Sequence, residues 1–150
     1  SVYMEAMNRF GEPVMGTTFT GVHLLRDEAL FCQVGDSRLY LFDGTILRQM
    51  TVDHEQYDEK LQGNVLVSYL GIDANTFGIK VQEETFKVAP GNRLLLCSDG
   101  LYKQMDDSRI VQILKENPST SEQALEKLCG EAEKIEYSDN VTAVLVEIEE

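Results

Sequence analysis

Three aspartates in this 150-residue chain stand where runs of apolar, strand-forming residues stop. Asp36 follows Phe31-Cys32-Gln33-Val34-Gly35, Asp99 follows Leu94-Leu95-Leu96-Cys97-Ser98, and Asp139 precedes Asn140-Val141-Thr142-Ala143-Val144. A carboxylate at the end of a core strand is held beside low-dielectric material, where an isolated charge is costly. Three carboxylates that converge with no lysine or arginine to pair with call for a cation. An oxygen-only ligand set selects Mg²⁺, Mn²⁺ or Ca²⁺ over zinc. Each aspartate also has an ordinary reading, because Gly35-Asp36-Ser37, Asp99-Gly100 and Asp139-Asn140 are common turn sequences. Spacing alone does not bring the three together.

The elements that would position them can be read along the chain. Residues 1–12 suggest a helix end and a loop, punctuated by Gly11 and Pro13. Thr17 to Leu25, Ala29 to Val34, Leu39 to Phe42 and Thr45 to Met50 read as four strands, the last two joined by the hairpin signal Asp43-Gly44. Short turns between them predict an antiparallel meander. Residues 52–63 are polar, without an apolar stripe, and predict a loop or short helix. Asn64 to Leu70 is apolar again, and Phe77 to Val88 reads as a strand. After the turn Ala89-Pro90-Gly91-Asn92, Arg93 to Ser98 is short and apolar, as in a strand buried on both faces.

Ile110, Ile113 and Leu114 then give a helix over Ser108 to Glu116 one apolar face, with Asp106 or Asp107 to cap it. Ser119-Thr120-Ser121-Glu122 fits a capping box for a second helix carrying Ala124, Leu125, Leu128, Ala132 and Ile135. Val141 to Ile148 alternates as a closing strand. Strands, then two helices, then a strand predict an α+β layered domain.

Composition limits the partners. The formal net charge of −13 repels phosphate backbones and argues against nucleic-acid binding. No apolar run is long enough for a membrane-spanning helix. The first residues show no basic leader followed by an apolar block, which points to a cytoplasmic location. Cys32, Cys97 and Cys129 form no CxxC pair and read as reduced, buried thiols. His23 and His54 lack zinc spacing.

Several strings occur together in one order: Met15-Gly16-Thr17-Thr18, Val34-Gly35-Asp36-Ser37-Arg38-Leu39-Tyr40, Thr51-Val52-Asp53-His54, Asn64-Val65-Leu66 with Leu70-Gly71, Leu95-Leu96-Cys97-Ser98-Asp99-Gly100-Leu101, and Ser138-Asp139-Asn140-Val141-Thr142. This ordered set resembles the metal-dependent serine/threonine protein phosphatases of the PPM family (type 2C), from Met15 onward. The resemblance implies an antiparallel β-sandwich flanked by helices. It implies a pair of Mg²⁺ or Mn²⁺ ions whose activated water attacks a phosphoserine or phosphothreonine. By the same carry-over Asp99 and Asp139 are catalytic metal ligands, and Asp36 holds a further ion with Asp99. Ser37, Arg38 and His54 take structural roles. Implied partners are phosphorylated proteins and a cognate serine/threonine kinase; no substrate-binding residue is assigned.

Two departures qualify the resemblance. The family's N-terminal elements have no counterpart: an Arg that grips the phosphate, an Asp-Gly whose Asp bridges both metals, and a nearby His. Residues 1–150 are therefore expected to be a single type 2C-like domain lacking its N-terminal portion, with weak or no activity alone. Exposed sheet edges are expected to promote self-association. The segment 55–63, which replaces a longer flap, resembles the sporulation and stress-response branch, while the Gly-Asp-Ser-Arg and Asp-His strings resemble the typical branch. A non-catalytic phosphatase-like binding module is the alternative.

Overall fold

The computed structural model describes residues 1–12, 14–73, 75–117, 121–135 and 139–149. Helix α1 (Val2–Phe10) starts at Ser1, whose hydroxyl accepts from the Met4 N–H at 3.3 Å, and ends at a left-handed Gly11. Strands β1 (Phe19–Leu25), β2 (Glu28–Val34), β3 (Arg38–Phe42), β4 (Leu47–Gln49), β5 (Glu55–Asp58), β6 (Gly63–Leu66), β7 (Gln82–Lys87) and β8 (Arg93–Cys97) follow in order. Then come helices α2 (Asp99–Tyr102), α3 (Asp107–Glu116) and α4 (Ser121–Ala132), and the last strand β9 (Ala143–Glu147).

The strands form two main antiparallel sheets, one ordered β1-β2-β7 and the other β4-β3-β8-β9. Ala29, Phe31, Leu39, Leu41, Val88 and Leu94 fill the space between them. The opposite face of the second sheet, through Tyr40, Phe42, Leu95, Cys97 and Leu145, packs on α2, α3 and α4. The result is three layers, sheet on sheet on helices, each burying one apolar face against the next. β8 is one of the two inner strands of the middle layer. Leu94 and Leu96 face the inter-sheet core, while Leu95 and Cys97 face the helices, which is why its sequence is a continuous apolar run. The expected antiparallel sandwich with helices is the observed architecture.

The expected meander is not. β1 and β2 pair, and β3 and β4 pair, but β2 and β3 lie in different sheets. Gly35, at φ 116°, turns the chain from one sheet into the other. Residues 52–63 contain no helix and are only partly loop: Glu55–Asp58 pairs with Gly63–Leu66 as a two-stranded ribbon. Its residues are mostly half-buried or exposed on both faces, so no alternation marks it. Asp106 caps α3, its carboxylate accepting from the Arg109 N–H at 2.8 Å. Ile135 lies beyond α4 and is exposed. The expected capping box falls partly on Ser119 and Thr120, outside the described residues. All three cysteines are free thiols, Cys97 buried and the others half-buried.

Candidate active site

Asp36 sits on the crossing between the sheets. A Cβ on Gly35 would collide with the Thr18 side chain, so only glycine fits this bend. His54 grips Gly35 from both sides: its Nδ1 accepts from the Gly35 N–H at 3.1 Å, and its own N–H donates to the Gly35 carbonyl at 2.9 Å. Burial and the charge of Lys80 hold the His54 imidazole below the usual histidine range, in keeping with a neutral ring whose Nδ1 is an acceptor. The Ser37 carbonyl accepts from Thr20 Oγ1 at 3.0 Å and from Gln33 Nε2 at 3.1 Å, and the Ser37 hydroxyl bonds Thr18 Oγ1 at 2.8 Å. Ser37 and His54 thus shape the backbone that carries Asp36.

Arg38 does the same from below. Its Nε and Nη2 donate to Asp53, and its Nη1 donates to the Tyr40 hydroxyl at 2.8 Å. The Tyr102 hydroxyl donates to the Asp36 carbonyl at 3.0 Å. These contacts tie the Thr51-Val52-Asp53-His54 string, the Gly-Asp-Ser-Arg bend and α2 into one polar cluster.

Asp99 opens α2 immediately after β8. A carboxylate in a first helical turn faces backbone N–H groups, which is favourable for its charge. Gly100 has no room for a side chain, because a Cβ would collide with the Asn140 carbonyl. The Ser98 N–H donates to the Thr142 carbonyl at 2.9 Å, and the Thr142 N–H donates to the Ser98 hydroxyl at 3.0 Å. The backbone of residues 139–142 is thereby laid against Ser98-Asp99-Gly100. The Asp139 carboxylate is exposed and accepts from the Asn140 N–H at 2.7 Å.

Asp36 and Asp99 meet, and Glu55 from β5 joins them. The Lys103 ammonium stands among the three, 2.9 Å from Asp99, 3.3 Å from Glu55 and 3.8 Å from Asp36. Burial, then the like charge of Asp99, pushes the Asp36 carboxyl above the usual carboxylate range, with Lys103 acting against them. Burial alone would lower the Lys103 pKa, but its hydrogen bond to Asp99 and the charges of Asp99 and Glu55 outweigh that and raise it.

The sequence reading supplied no basic partner for these aspartates; Lys103, one helical turn after Asp99, is one. It also missed Glu55, hidden in a polar ribbon, and Tyr102. The signal for Lys103 was available, since residues four apart on a helix are neighbours. Asp139 is near through its backbone, while its carboxylate bonds the Asn140 N–H. Among the described residues no group of three or more His, Cys, Asp or Glu side chains is arranged as a preformed metal site. The donor chemistry of Asp36 and Asp99 nevertheless fits a hard divalent cation: two like-charged oxygen donors already drawn around an ammonium.

Residues 6–149 match a family model described as Stage II sporulation protein E (SpoIIE). The chain belongs to the SpoIIE family of PPM-type phosphatase domains. The SpoIIE-type chain is 33% identical over 149 residues to the "Serine/threonine phosphatase stp" of Listeria monocytogenes, a match covering 89% of this chain and 57% of the relative. Its fold is similar to that of PppA, "a key regulatory component of T6SS in Pseudomonas aeruginosa", with a TM-score of 0.80 and 31% identity over 95% of this chain and 62% of that one. It also shares the fold of the catalytic domain of the serine threonine protein phosphatase PstP solved with two manganese ions, with a TM-score of 0.77 and 23% identity. That match covers 99% of this chain and 66% of PstP's. The chain therefore spans well over half, but not all, of the length of the proteins it matches.

Proposed function

We propose that this chain is part of a metal-dependent serine/threonine protein phosphatase that hydrolyses phosphoserine or phosphothreonine in proteins. The observation that carries this reading is the meeting of Asp36 and Asp99, far apart in sequence, just before β3 and just after its partner strand β8, around a single positive charge. Asp99 and Asp139 hold the catalytic Mg²⁺ or Mn²⁺ pair, and Asp36 with Asp99 contributes to a further site. Bound divalent cations supply a nucleophilic water at neutral pH and neutralise charge that develops on the phosphoryl group. The chain's own residues supply position. Gly35, His54 and Ser37 fix the backbone under Asp36, while β8 and the first turn of α2 fix Asp99. The contact between Gly100 and Asn140 carries Asp139 to the same edge.

Residues 1–150 form a single phosphatase-like domain without the family's N-terminal elements, with 55–63 as its shortened flap. Taken alone they are weakly active or inactive. The substrates are phosphorylated proteins, with a cognate kinase adding the phosphate, in the cytoplasm. Among the described residues no helix is long and apolar enough to cross a membrane. Phe19 on β1 and Val144 on β9 are about half exposed, and both strands are sheet edges, which supports self-association.

Calorimetric titration with Mn²⁺, alongside hydrolysis of a phosphothreonine peptide, tests the reading. Saturable binding that weakens in Asp99→Asn supports it. Unchanged binding in Asp99→Asn refutes the ligand assignment. Phosphopeptide binding without Mn²⁺ and without hydrolysis, in the full-length protein, would instead mark a binding module.

A further inference from the structure

Lys103 belongs to none of the motif strings, yet its ammonium touches three separate parts of the fold. Asp36 lies on the crossing between the sheets, Glu55 on the β5–β6 ribbon and Asp99 at the start of α2. Among the described residues it is the only basic side chain that pairs with any of these carboxylates. Arg38, the nearest alternative, is fully engaged by Asp53, Tyr40 and the Tyr102 ring. Lys103 is held at the C-cap of α2, where its stem need only fold back one turn to reach Asp99. The ammonium head and a divalent cation want the same oxygens, and both cannot have them at full strength.

We propose that Lys103 is a built-in counter-cation that clasps the carboxylate cluster in the metal-free protein and competes with the divalent metal for Asp99 and Asp36. Metal entry then requires the lysine to swing out, which its half-exposed side chain permits. The proposal rests on the metal reading of the site given above, but it makes its own demands. The metal-free protein should be more ordered with Lys103 than without it, and the metal should bind more tightly once the lysine is gone.

The test compares the unmutated chain with Lys103→Met and Lys103→Arg. Thermal unfolding is followed in the presence of a chelator, and Mn²⁺ binding is followed by calorimetry. Lys103→Met should melt a few degrees lower without metal and bind Mn²⁺ roughly two- to fivefold more tightly, the range expected for losing a partly exposed ion-pair competitor. Lys103→Arg, which keeps the charge, should return Mn²⁺ affinity toward that of the unmutated chain. If Lys103→Met folds poorly, Lys103→Gln carries the same expectation. Equal Mn²⁺ affinity in the unmutated chain and Lys103→Met would overturn the competition. If neither binds Mn²⁺, the metal reading is what has failed. The melt in chelator then still decides the clasp, which an unchanged melting temperature refutes.

Discussion

The guanidinium of Arg38 lies 3.5 Å from the centre of the Tyr102 ring, stacked on the residue whose hydroxyl holds the Asp36 carbonyl. Asp53 fixes the guanidinium on its other side, at 2.7 Å from Nη2. The line Asp53, Arg38, Tyr102, Asp36 joins a loop, a strand, a helix and the inter-sheet bend through side chains that are mostly out of water. A planar, forked, stacked cation suits this position and a lysine does not. Arg38→Lys should lower stability by about 1–3 kcal/mol in urea unfolding. Tyr102→Phe keeps the ring and loses only the hydroxyl, so it should cost about 1 kcal/mol. Arg38→Lys, which loses the fork to Asp53 and Tyr40 as well as the stacked guanidinium, should cost more than Tyr102→Phe, and the reverse order would overturn the importance of the guanidinium.

Gly100→Ala should be more damaging than its single methyl suggests. The added Cβ meets the backbone of Asn140, which cannot rotate away as a side chain would. Strain of this kind typically costs about 1–3 kcal/mol. Because the displaced segment carries Asp139, Mn²⁺ affinity should fall together with the melting temperature. A variant that melts lower but binds Mn²⁺ unchanged would separate Asp139 from the metal.

His54 should make stability depend on pH on the acid side of neutrality. Its folded pKa lies below the ordinary value near 6.5, so the neutral ring is the stabilising form. That contribution is complete above about pH 6.5 and is lost as pH falls through the folded pKa. Asp36, raised above its ordinary value, has the opposite sign: its contribution is present at acid pH and lost as pH rises through the folded pKa. Urea midpoints measured at successive pH values from about 7.5 downward should therefore decline for the unmutated chain. They should decline much less for His54→Asn, whose Oδ1 can accept from the Gly35 N–H without titrating. Parallel declines would exclude His54.

Asp36→Asn should separate stability from metal binding. Without metal, removing one of the crowded carboxylates relieves burial of a charge beside Asp99, so the variant should gain up to about 1 kcal/mol. In Mn²⁺ the order should reverse, because the amide is a poorer ligand. Chemical denaturation in chelator and in excess Mn²⁺ gives both numbers. A loss of stability in chelator would show that the negative charge of Asp36 is already well compensated by Lys103.

Much of the architecture was legible where burial imposed a period. Arg93–Cys97 declared itself as a strand covered on both faces because both faces are covered, and the α3 stripe of Ile110, Ile113 and Leu114 is fully buried as its spacing required. The β5–β6 ribbon was illegible for the converse reason: with little burial on either face, nothing selects alternate residues. Strand pairing was misjudged at Gly35 because membership of a sheet is decided by tertiary packing, and a short turn looks the same whether it returns the chain or sends it across. α2 has no signal of its own beyond the turn-forming Asp99-Gly100 pair, since four residues are too few to show a helical period. Asp36 and Asp99 could be singled out by their place at strand ends. Lys103 stands four residues after Asp99, a spacing that pairs them once α2 is known to be helical, whereas Glu55 joins them only because the ribbon flanks the same bend.

Neither main sheet is a continuous piece of chain: β1 and β2 must wait for β7, and β3 and β4 must wait for β8 and β9. A single proteolytic cut between β6 and β7 would take one strand from the first sheet and two from the second. No fragment on either side of that cut retains a closed core, so nicking there should yield no stable subdomain. The domain should unfold in one cooperative step, with the carboxylate cluster lost in the same transition as the sheets that carry it.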